Sequence, residues 1–355
     1  DLILFAVSAP AMQSMLDSLR VYATRKGLTV NAAKTQVVVF NGYVWAGSLK
    51  YGDQRLEQKD RFKYLGMWFC RETNRVRNML KAAADAWCGP MMGALLDIHD
   101  TARSVEAHLM PHAMLRLFQT FVVPYGMYAC QIWGTEYIQP SAIYKAEIQV
   151  RHLGFLRRVL GVKRTTANDC VMSETCQTPF QFYWLRSICR FWNDMCGANS
   201  EVLKDVARAD VLLGGENDKC WSSQVMRALD AYPQLQGHAA ESMRSMNTLD
   251  LYRVVEAWRN MYEERWQAAT GDPTDPTTQH RKLCTYNAYF RGEGKRTWWQ
   301  LPAYLRAGNM LHPDVVRSVA RFRLCSHELC VEVGRQRHGI ISRCERWCRR
   351  CASLG

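Results

Sequence analysis

The sequence predicts an α+β fold, in which a short mixed segment is followed by a much longer and mostly α-helical part. Residues 1–70 combine short apolar or β-branched runs with one helical repeat, which gives the order strand, helix, strand and hairpin. From Arg71 onward the apolar residues recur mainly at helical spacing. No parallel repeat is long enough to predict a Rossmann-type sheet.

Local signals predict the elements of the first seventy residues. Residues 2–5 (Leu-Ile-Leu-Phe) form an apolar run that is typical of a buried strand. Ser8 is a predicted helix N-cap, Pro10 is an early helical proline, and Gly27 is expected to end the same helix. Further strands are predicted at residues 36–40 and 62–69, with turns at 41–42 and 51–53.

The rest of the chain is predicted to form helices joined by polar loops. The strongest helical patterns cover residues 115–128, with an interruption at Pro124, and residues 143–160. Residues 271–278, which are rich in Pro, Thr and Asp, are the best candidate for a linker. These signals divide the chain into four predicted regions at 1–70, 71–196, 197–280 and 281–355.

The charge of the chain points to a polyanionic partner. Among 355 residues, 46 are Lys or Arg and 33 are Asp or Glu, so the net charge is +13. Nucleic acid is the most common partner of such a chain, and an acidic membrane surface comes second. The longest apolar stretch, residues 114–133, contains Arg116, Gln119 and Pro124, so we expect a buried helix and no membrane partner.

The fourteen cysteines are scattered over most of the chain. We therefore expect most of them to be small buried apolar residues in a reducing compartment, because a disulfide scaffold would be shorter and denser in cysteine. Cys348 and Cys351 have the Cys-x-x-Cys spacing of zinc ligands, but the rest of a four-ligand set does not follow them. Three explanations remain open for this pair: plain thiols, an incomplete Zn²⁺ site, or a closed site completed by other residues of the C-terminal region, namely Cys325, His327, Cys330, His338 or Cys344.

Three short motifs could serve phosphoryl transfer, although each has an ordinary structural explanation when it is taken alone. Asp1 precedes an apolar run, and a carboxylate at the end of a strand can hold Mg²⁺ against phosphate oxygens. Lys34 lies in a turn between helix and strand, where it could meet a phosphate or simply be solvated. Tyr64, Leu65 and Gly66 are typical of an amphipathic strand that ends in a turn.

Two stretches with few acids contain much of the positive charge. Residues 151–164 hold five bases and no acid, and residues 335–350 hold six bases and one acid. A solvated helix face is the ordinary explanation, and contact with phosphates is the functional one. The candidate nucleic-acid contacts are Arg157, Arg158, Lys163, Arg164, Arg349 and Arg350.

Taken together and in order, the three short motifs resemble the second half of a reverse transcriptase palm. The closest resemblance is to the polymerases of non-LTR (LINE-type) retrotransposons, in which the catalytic turn reads aromatic–Ala–Asp–Asp–Leu. Asp1-Leu2 matches the last two letters of that turn, so Asp1 would be the second of the paired aspartates. The turn with Lys34 resembles motif D, and residues 64–66 resemble the primer grip of the family.

Softer similarities continue along the helical part. Glu174 and Pro179 fit a Glu-x-Gly-x-x-Pro pattern of the family, with Cys176 in place of its glycine. Residues 320–335 resemble the segment that precedes a C-terminal zinc knuckle in the family. Residues 115–134 and 155–162 resemble the helices that follow the thumb.

The resemblance implies RNA-directed DNA synthesis from an RNA template, a DNA primer and deoxynucleoside triphosphates. Two Mg²⁺ ions held by aspartates would support the reaction, and Asp1 would supply one of these carboxylates. Lys34 would lie near the incoming triphosphate. Tyr64, Leu65 and Gly66 would position the primer end. The four predicted regions would be a partial palm, a thumb with its following helices, a variable helical region with a linker, and a truncated zinc-knuckle-like end. An intracellular, mainly nuclear protein with a cytoplasmic ribonucleoprotein stage is implied as well.

The residues at hand do not include the partner aspartate or the upstream metal-binding strand. We therefore expect this chain to have no polymerase activity by itself. Two alternatives remain open: a non-catalytic nucleic-acid-binding protein derived from such an element, and a helical interaction protein whose motif match is a coincidence. Salt-dependent binding to a primer–template duplex is expected of a polymerase fragment and of a nucleic-acid-binding protein. It is not expected of a helical interaction protein.

Overall fold

The computed structural model describes residues 2–40, 47–70, 84–104, 110–215, 220–270, 286, 301–306 and 311–326. The chain forms two compact units, an N-terminal unit of residues 1–83 and a helical unit of residues 84–355. Helices dominate the described residues and strands are few, so the fold is α+β in the broad sense and mostly α-helical. Within this described part, no helix combines the length and the apolar character needed to cross a membrane.

The N-terminal unit contains helix α1 and short strands that pair two by two. Helix α1 covers Ala9–Arg25, and the strands are Gln36–Val37 (β1), Lys50–Tyr51 (β2), Gln54–Arg55 (β3), Glu57–Gln58 (β4), Arg61–Tyr64 (β5) and Met67–Cys70 (β6). Strands β1 and β4 are parallel, whereas β2–β3 and β5–β6 are antiparallel hairpins. The predicted turn at 51–53 is confirmed by the β2–β3 hairpin, and the predicted turn at 41–42 lies outside the described residues.

The signals at both ends of α1 are confirmed. The hydroxyl of Ser8 accepts a hydrogen bond from the backbone N–H of Ala11 at 3.3 Å, and Pro10 lies in the first turn. The helix ends at Arg25, and Gly27 follows with a φ of 66°. Ser8 thus satisfies one of the backbone donors that the start of a helix leaves unpaired.

The predicted buried strand at residues 2–5 is wrong. These residues form no strand, and Leu2 and Phe5 are 65% and 71% exposed. A strand is held by hydrogen bonds to a neighbouring strand, and none of the described strands pairs with this run. Only Leu4 packs, partly buried, against the small apolar core of the unit.

That core consists of Leu16, Leu49 and Leu56. Gln13 adds a polar link from α1 to β2, because its amide nitrogen donates to the carbonyl of Lys50 at 2.9 Å and its oxygen accepts from the N–H of Lys50 at 3.0 Å. The Gln13 side chain therefore bonds to Lys50 as a neighbouring strand would. Few side chains are buried in the described part of the unit, so bonds of this kind add to a small apolar core.

The prediction of one strand over residues 62–69 is wrong, because the chain turns at Leu65 and Gly66 and forms the β5–β6 hairpin. The turn lies where the Tyr64-Leu65-Gly66 motif predicts it, whereas the predicted strand at 36–40 is confirmed only over Gln36–Val37. Leu65 and Gly66 both have positive φ angles, 46° and 84°, as a type I′ turn requires. On the strands, Phe62 lies opposite Phe69, and the two ring centroids are 5.1 Å apart. The hairpin is confirmed, whereas its role as a primer grip stays a prediction.

The helical unit is built from helices joined by short connections. In its described part, the α-helices are Cys88–Ser104 (α2), Pro111–Leu117 (α3), Val123–Met127 (α4), Cys130–Trp133 (α5), Glu147–Leu160 (α6), Asn168–Glu174 (α7), Phe180–Cys196 (α8), Glu201–Gly214 (α9), Trp221–Asp230 (α10), His238–Arg244 (α11), Leu251–Thr270 (α12) and Pro313–Arg323 (α13). Short 3₁₀ helices cover Gly134–Tyr137, Pro140–Ala142, Pro233–Leu235 and Ala303–Leu305.

The predicted interruption at Pro124 is confirmed as a π-helical turn. This turn, Phe118–Val122, joins α3 to α4, and the N–H of Val123 donates to the carbonyl of Phe118 five residues earlier. In a regular helix the ring of Pro124 would clash with the carbonyl four residues before it. The wider π turn lets the chain continue as a helix past the proline.

The second predicted helix begins later than expected, because α6 starts at Glu147 and not at residue 143. The preceding residues form a turn, in which the hydroxyl of Tyr144 donates to Asp169 at 2.6 Å. Asp169 lies on another helix, so a tertiary contact fixes this turn.

Helix α8 lies at the centre of the helical unit, with Phe180, Trp184 and Trp192 on its buried face. The indole N–H of Trp184 donates to the carbonyl of Gly126 at 2.8 Å, and that of Trp192 donates to the carbonyl of Asn247 at 2.9 Å. Gly126 has to be glycine, because a Cβ there would lie 2.4 Å from the ring of Phe180. The large side chains therefore join α8 to its neighbours by both burial and hydrogen bonds.

Eight of the fourteen cysteines have described side chains; all eight are free thiols, and five of them are buried. Burial raises the pKa of Cys130 to about 11 and that of Cys189 to about 12. These thiols therefore stay protonated and pack as small apolar groups.

His152 on α6 is a buried polar residue in an aromatic environment. Its ring stacks on Phe118 at 4.5 Å and meets the edge of Phe180 at 5.4 Å. Neither ring nitrogen has a hydrogen-bond partner among the described residues, and burial lowers the pKa of His152 to about 3. The folded protein therefore holds this imidazole in its neutral form.

Because the pKa of His152 is lower in the folded state than its usual value near 6.5, only the unfolded chain takes up a proton as the pH falls. This residue should reduce the free energy of unfolding by about 2 kcal/mol between pH 7 and pH 5. Denaturant titrations over this range should show that H152L removes that part of the pH dependence. The exposed His238 provides the control, since H238A should leave the dependence unchanged.

Candidate nucleic-acid interface

A groove of about 560 Å³ lies between α2 and α6 of the helical unit. Arg151, Arg157, Arg158 and Arg164 line it together with His99. Apolar side chains of both helices make up most of the remaining wall, and no described residue of the lining is acidic. The groove is thus a concave surface whose charged groups are all cations, as an anionic ligand requires.

The basic residues of this region differ in whether they form ion pairs with acidic residues of the protein. Arg151 forms an ion pair with Glu147 at 2.6 Å. Arg158, Lys163 and Arg164 are exposed, and none of them forms an ion pair with a described residue. We call these three residues the cation cluster. Exposed cations without an acidic partner are the groups that contact nucleic-acid phosphates.

Arg157 lines the same groove but serves mainly to hold the protein chain. Its Nη2 donates to the carbonyl of Thr166 at 2.7 Å and to the side chain of Asn168, and its Nε also donates to Thr166 at 3.3 Å. Burial lowers the pKa of Arg157, and the charge of Arg164 lowers it further. The guanidinium therefore fixes the loop after α6, and its contact with a phosphate stays a prediction.

The loop that carries Lys163 and Arg164 is also fixed by α13. Nε of Arg321 donates to the carbonyl of Gly161 at 2.7 Å, and the backbone N–H of Lys163 donates to the hydroxyl of Ser326 at 2.8 Å. These bonds join parts of the chain that are about 160 residues apart. Two residues of the cation cluster thus lie on a loop that is held from both sides.

Helix α13 is in turn held to α7 by a buried ion pair. Glu174 has no exposed surface, and it accepts hydrogen bonds from Nε of Arg323 at 2.6 Å and from Nη2 at 3.3 Å. The hydroxyls of Tyr286 and Tyr304 donate to the same carboxylate. A buried carboxylate with this many donors is well satisfied, so the pair can persist inside the unit.

The end of α7 explains the glycine of the Glu-x-Gly-x-x-Pro pattern. Cys176 has a φ of 52°, its N–H donates to the carbonyl of Ser173, and the N–H of Gln177 donates to the carbonyl of Met172. These two bonds define a Schellman motif, whose left-handed position is usually glycine. Cys176 therefore adopts a backbone conformation that suits the glycine of the pattern better than it suits cysteine.

The candidate residues of the N-terminal unit lie in two turns. Lys34 is exposed in a turn in which its backbone N–H donates to the side chain of Asn31 at 3.1 Å. Tyr64 is half-buried at the end of β5, and Leu65 and Gly66 form the hairpin turn. Their geometry suits an exposed hairpin tip, and their roles in catalysis and primer binding stay predictions.

The other candidates fall outside the described residues, namely Asp1, Cys348, Cys351, Arg349 and Arg350. Within the ranges that are described, no group of three or more His, Cys, Asp or Glu side chains could hold a metal ion. The Mg²⁺ and Zn²⁺ sites therefore stay predictions.

Sequence reasoning missed two parts of this site. It did not identify α2 as the second wall of the groove, because residues 97–100 read Asp-Ile-His-Asp and give no sign of a basic surface. It also did not pair Glu174 with Arg323, although both lie in segments that resemble the same family. A single sequence contains no signal for a contact across 149 residues, so only the resemblance could have suggested it.

Comparisons of the chain with protein-family models, with curated proteins and with solved structures find no match.

Substitution of Cys176 tests whether the left-handed backbone at this position favours glycine, which the Glu-x-Gly-x-x-Pro pattern has here. C176G should unfold at a higher denaturant concentration than C176A, because an L-residue in the left-handed region costs about 1–2 kcal/mol. Both substitutions remove the thiol, so their difference measures the backbone alone. Equal stability of the two variants would show that the backbone conformation at residue 176 does not favour glycine.

Removal of the Arg323 guanidinium should leave the charge of Glu174 buried without a cation. R323M should therefore lower the free energy of unfolding by about 3–5 kcal/mol, as measured by denaturant titration. R317M is the matched control, because Arg317 meets the exposed Asp314 at 3.8 Å and should contribute about 1 kcal/mol at most.

A second measurement separates the ion pair from the packing of the arginine. E174Q in the R323M background should recover part of the loss, because it removes the unpaired charge. If R323M and R317M had the same small effect, the buried pair would not hold α13.

Proposed function

We propose that the chain is part of an RNA-directed DNA polymerase similar to those of non-LTR retrotransposons, and that its helical unit binds the template–primer duplex. The observation that carries the proposal is the groove between α2 and α6, whose charged lining is entirely cationic. Arg158, Lys163 and Arg164 lie at this groove or beside it without an acidic partner among the described residues. Nucleic-acid backbones are the most common ligands of such surfaces.

The construction of the loop after α6 supports this interpretation. Phosphate contacts fix the register and orientation of a protein on a duplex, and a supported backbone helps to place the cations that make them. Arg157 and Arg321 bind backbone carbonyls on either side of the loop, and Ser326 binds the N–H of Lys163. The cations therefore project from a supported backbone and lose less conformational freedom on binding.

The geometry of the family-like motifs supports the polymerase part of the proposal. Glu174 and Arg323 come from two separate segments that resemble the family, and they bind each other. Cys176 occupies a left-handed position where the pattern has glycine. Leu65 and Gly66 form a tight hairpin turn, as a primer-grip hairpin would need.

In the N-terminal unit, the proposal gives the candidate residues separate roles. Tyr64, Leu65 and Gly66 at the hairpin tip would support the primer end. Lys34, which is exposed in its turn, would meet the triphosphate of the incoming nucleotide. The Mg²⁺ ions would be held by Asp1 and by further carboxylates of the complete enzyme, and they would stabilise charge on the transferred phosphate.

Binding of a fluorescent RNA–DNA primer–template duplex over a range of salt concentrations tests this function. The affinity should fall steeply with salt, and R158A, K163A and R164A should each lower the salt slope by about one. Each variant should weaken binding of different sequences equally, because phosphates carry no sequence information.

R190A is the matched control for this experiment, since Arg190 is exposed on α8 and does not line the groove. It should leave both the affinity and the salt slope unchanged. Binding that ignores salt, or that R190A weakens as much as R158A does, would contradict the proposal.

A further inference from the structure

Helix α6 has a glycine at the centre of the wall that it contributes to the groove. Gly154 lies in the middle of this helix and lines the groove. The residues one turn before it and one turn after it line the same groove, and they are Val150, Arg151, Arg157 and Arg158. A Cβ at Gly154 would have no described atom within 4 Å outside its own stretch of helix. Packing within the described part of the protein therefore does not explain this glycine.

A glycine in the interior of a helix lowers stability relative to alanine, because it loses more backbone freedom on folding. Glycine is nevertheless useful where a ligand has to approach the backbone closely. The space above Gly154 is open and belongs to the groove. A flat group of a ligand can therefore lie directly against the backbone of α6.

Helix α2 presents an apolar wall on the opposite side of the groove. Met92, Leu96 and His99 follow one another at intervals of four and three residues, so they share one side of α2, and all three line the groove. Leu96 is 60% exposed. A surface helix normally carries polar residues outside its buried face. The exposed leucine thus gives the groove an apolar surface that a ligand can cover.

Cations are distributed along the groove. Arg151 and Arg158 are seven residues apart on α6, so about 10 Å separate them along the helix axis. Arg151 pairs with Glu147, but this ion pair is exposed, and exposed pairs are weak enough to exchange partners. A ligand with one phosphate would reach only one of the two arginines. A ligand that repeats its negative charge can meet both.

A duplex does not match the apolar part of this groove. The bases of a duplex are stacked inside it, and its outer surface consists of phosphates, sugars and base edges. An unpaired strand instead exposes the flat faces of its bases beside its phosphates. The groove, with about 560 Å³, also has the size of a site for a small ligand and is far too small for a duplex.

We propose that the groove between α2 and α6 holds unpaired nucleotides of the template strand, which extends beyond the primer. The bases lie against Gly154 and Leu96, and the phosphates meet Arg151 and Arg158. This inference rests on the proposed function, in which the cation cluster contacts the duplex, and it gives the groove itself a separate ligand. The chain should therefore distinguish a template overhang from a blunt duplex.

Three fluorescent primer–templates test this inference on the full chain. One is blunt, one has a template overhang, and one has an overhang of the same length whose nucleotides lack bases. The intact overhang should bind at least about fivefold more tightly than the blunt duplex, because its bases cover the apolar wall. The abasic overhang should recover little of this gain, because it keeps the phosphates and loses the bases.

A matched pair of variants places the effect in the groove. Gly93 on α2 is also a helical glycine whose Cβ would have no described atom within 4 Å, but it does not line the groove. G154L should abolish the difference between the overhang and the blunt duplex, whereas G93L should leave it unchanged. Neither variant should lower the melting temperature, because leucine favours a helix more than glycine does.

The outcomes separate this inference from the proposed function. Equal binding of the blunt and overhang duplexes, an abasic overhang that binds as tightly as the intact one, or equal effects of G154L and G93L would overturn the inference alone. A melting temperature of G154L well below that of G93L would also overturn it, because the protein itself would then fill the space. Binding of the overhang duplex without the blunt one would support the inference and contradict duplex binding, and binding of neither would overturn both.

An acidic amphipathic helix of a partner protein is the competing ligand of such a groove. A synthetic helical peptide of Leu and Glu residues serves as its probe. If this peptide binds and G154L prevents the binding, while the overhang adds nothing to the affinity of the duplex, the groove is a peptide site and the inference is wrong.

Discussion

The buried contact between Glu174 and Arg323 is the interaction on which the arrangement of the candidate interface depends. The carboxylate lies at the end of α7 without exposed surface, and the guanidinium comes from the last turn of α13. With the pair formed, Arg321 and Ser326 are in place to bind the loop after α6. A buried charge that lost its partner would be costly, so the position of α13 is strongly specified.

The structure also divides the basic residues of the 151–164 stretch into two kinds. In the sequence these residues are equivalent, because only their charge and spacing are visible. In the folded unit, Arg151 and Arg157 are bound to protein groups, whereas Arg158, Lys163 and Arg164 are exposed without a described acidic partner. The exposed cations of this surface therefore stand on a scaffold that Arg151 and Arg157 help to maintain. The same residue type therefore has two physical roles within one helical turn.

Much of the local structure could be predicted, and the failures share one cause. The cap at Ser8, the turn at residues 65–66 and the interruption at Pro124 follow from the backbone preferences of a few adjacent residues. The absence of a strand at residues 2–5 and the late start of α6 both depend on distant segments of the chain. Residues 2–5 have no described strand to pair with, and Asp169 fixes the turn before α6. The groove and the Glu174–Arg323 pair are likewise tertiary contacts. Periodicity and composition contain no information about such partners.

The distribution of tryptophan has a practical consequence for any spectroscopic study of this chain. Only Trp45 and Trp68 of the twelve tryptophans belong to residues 1–83, and the other ten belong to the helical unit. Trp133, Trp184, Trp192 and Trp258 are almost completely buried there. Intrinsic fluorescence therefore reports mainly on the helical unit. The N-terminal unit, with its small core of three leucines, can open with little change in that signal, so its folding has to be followed by a different probe.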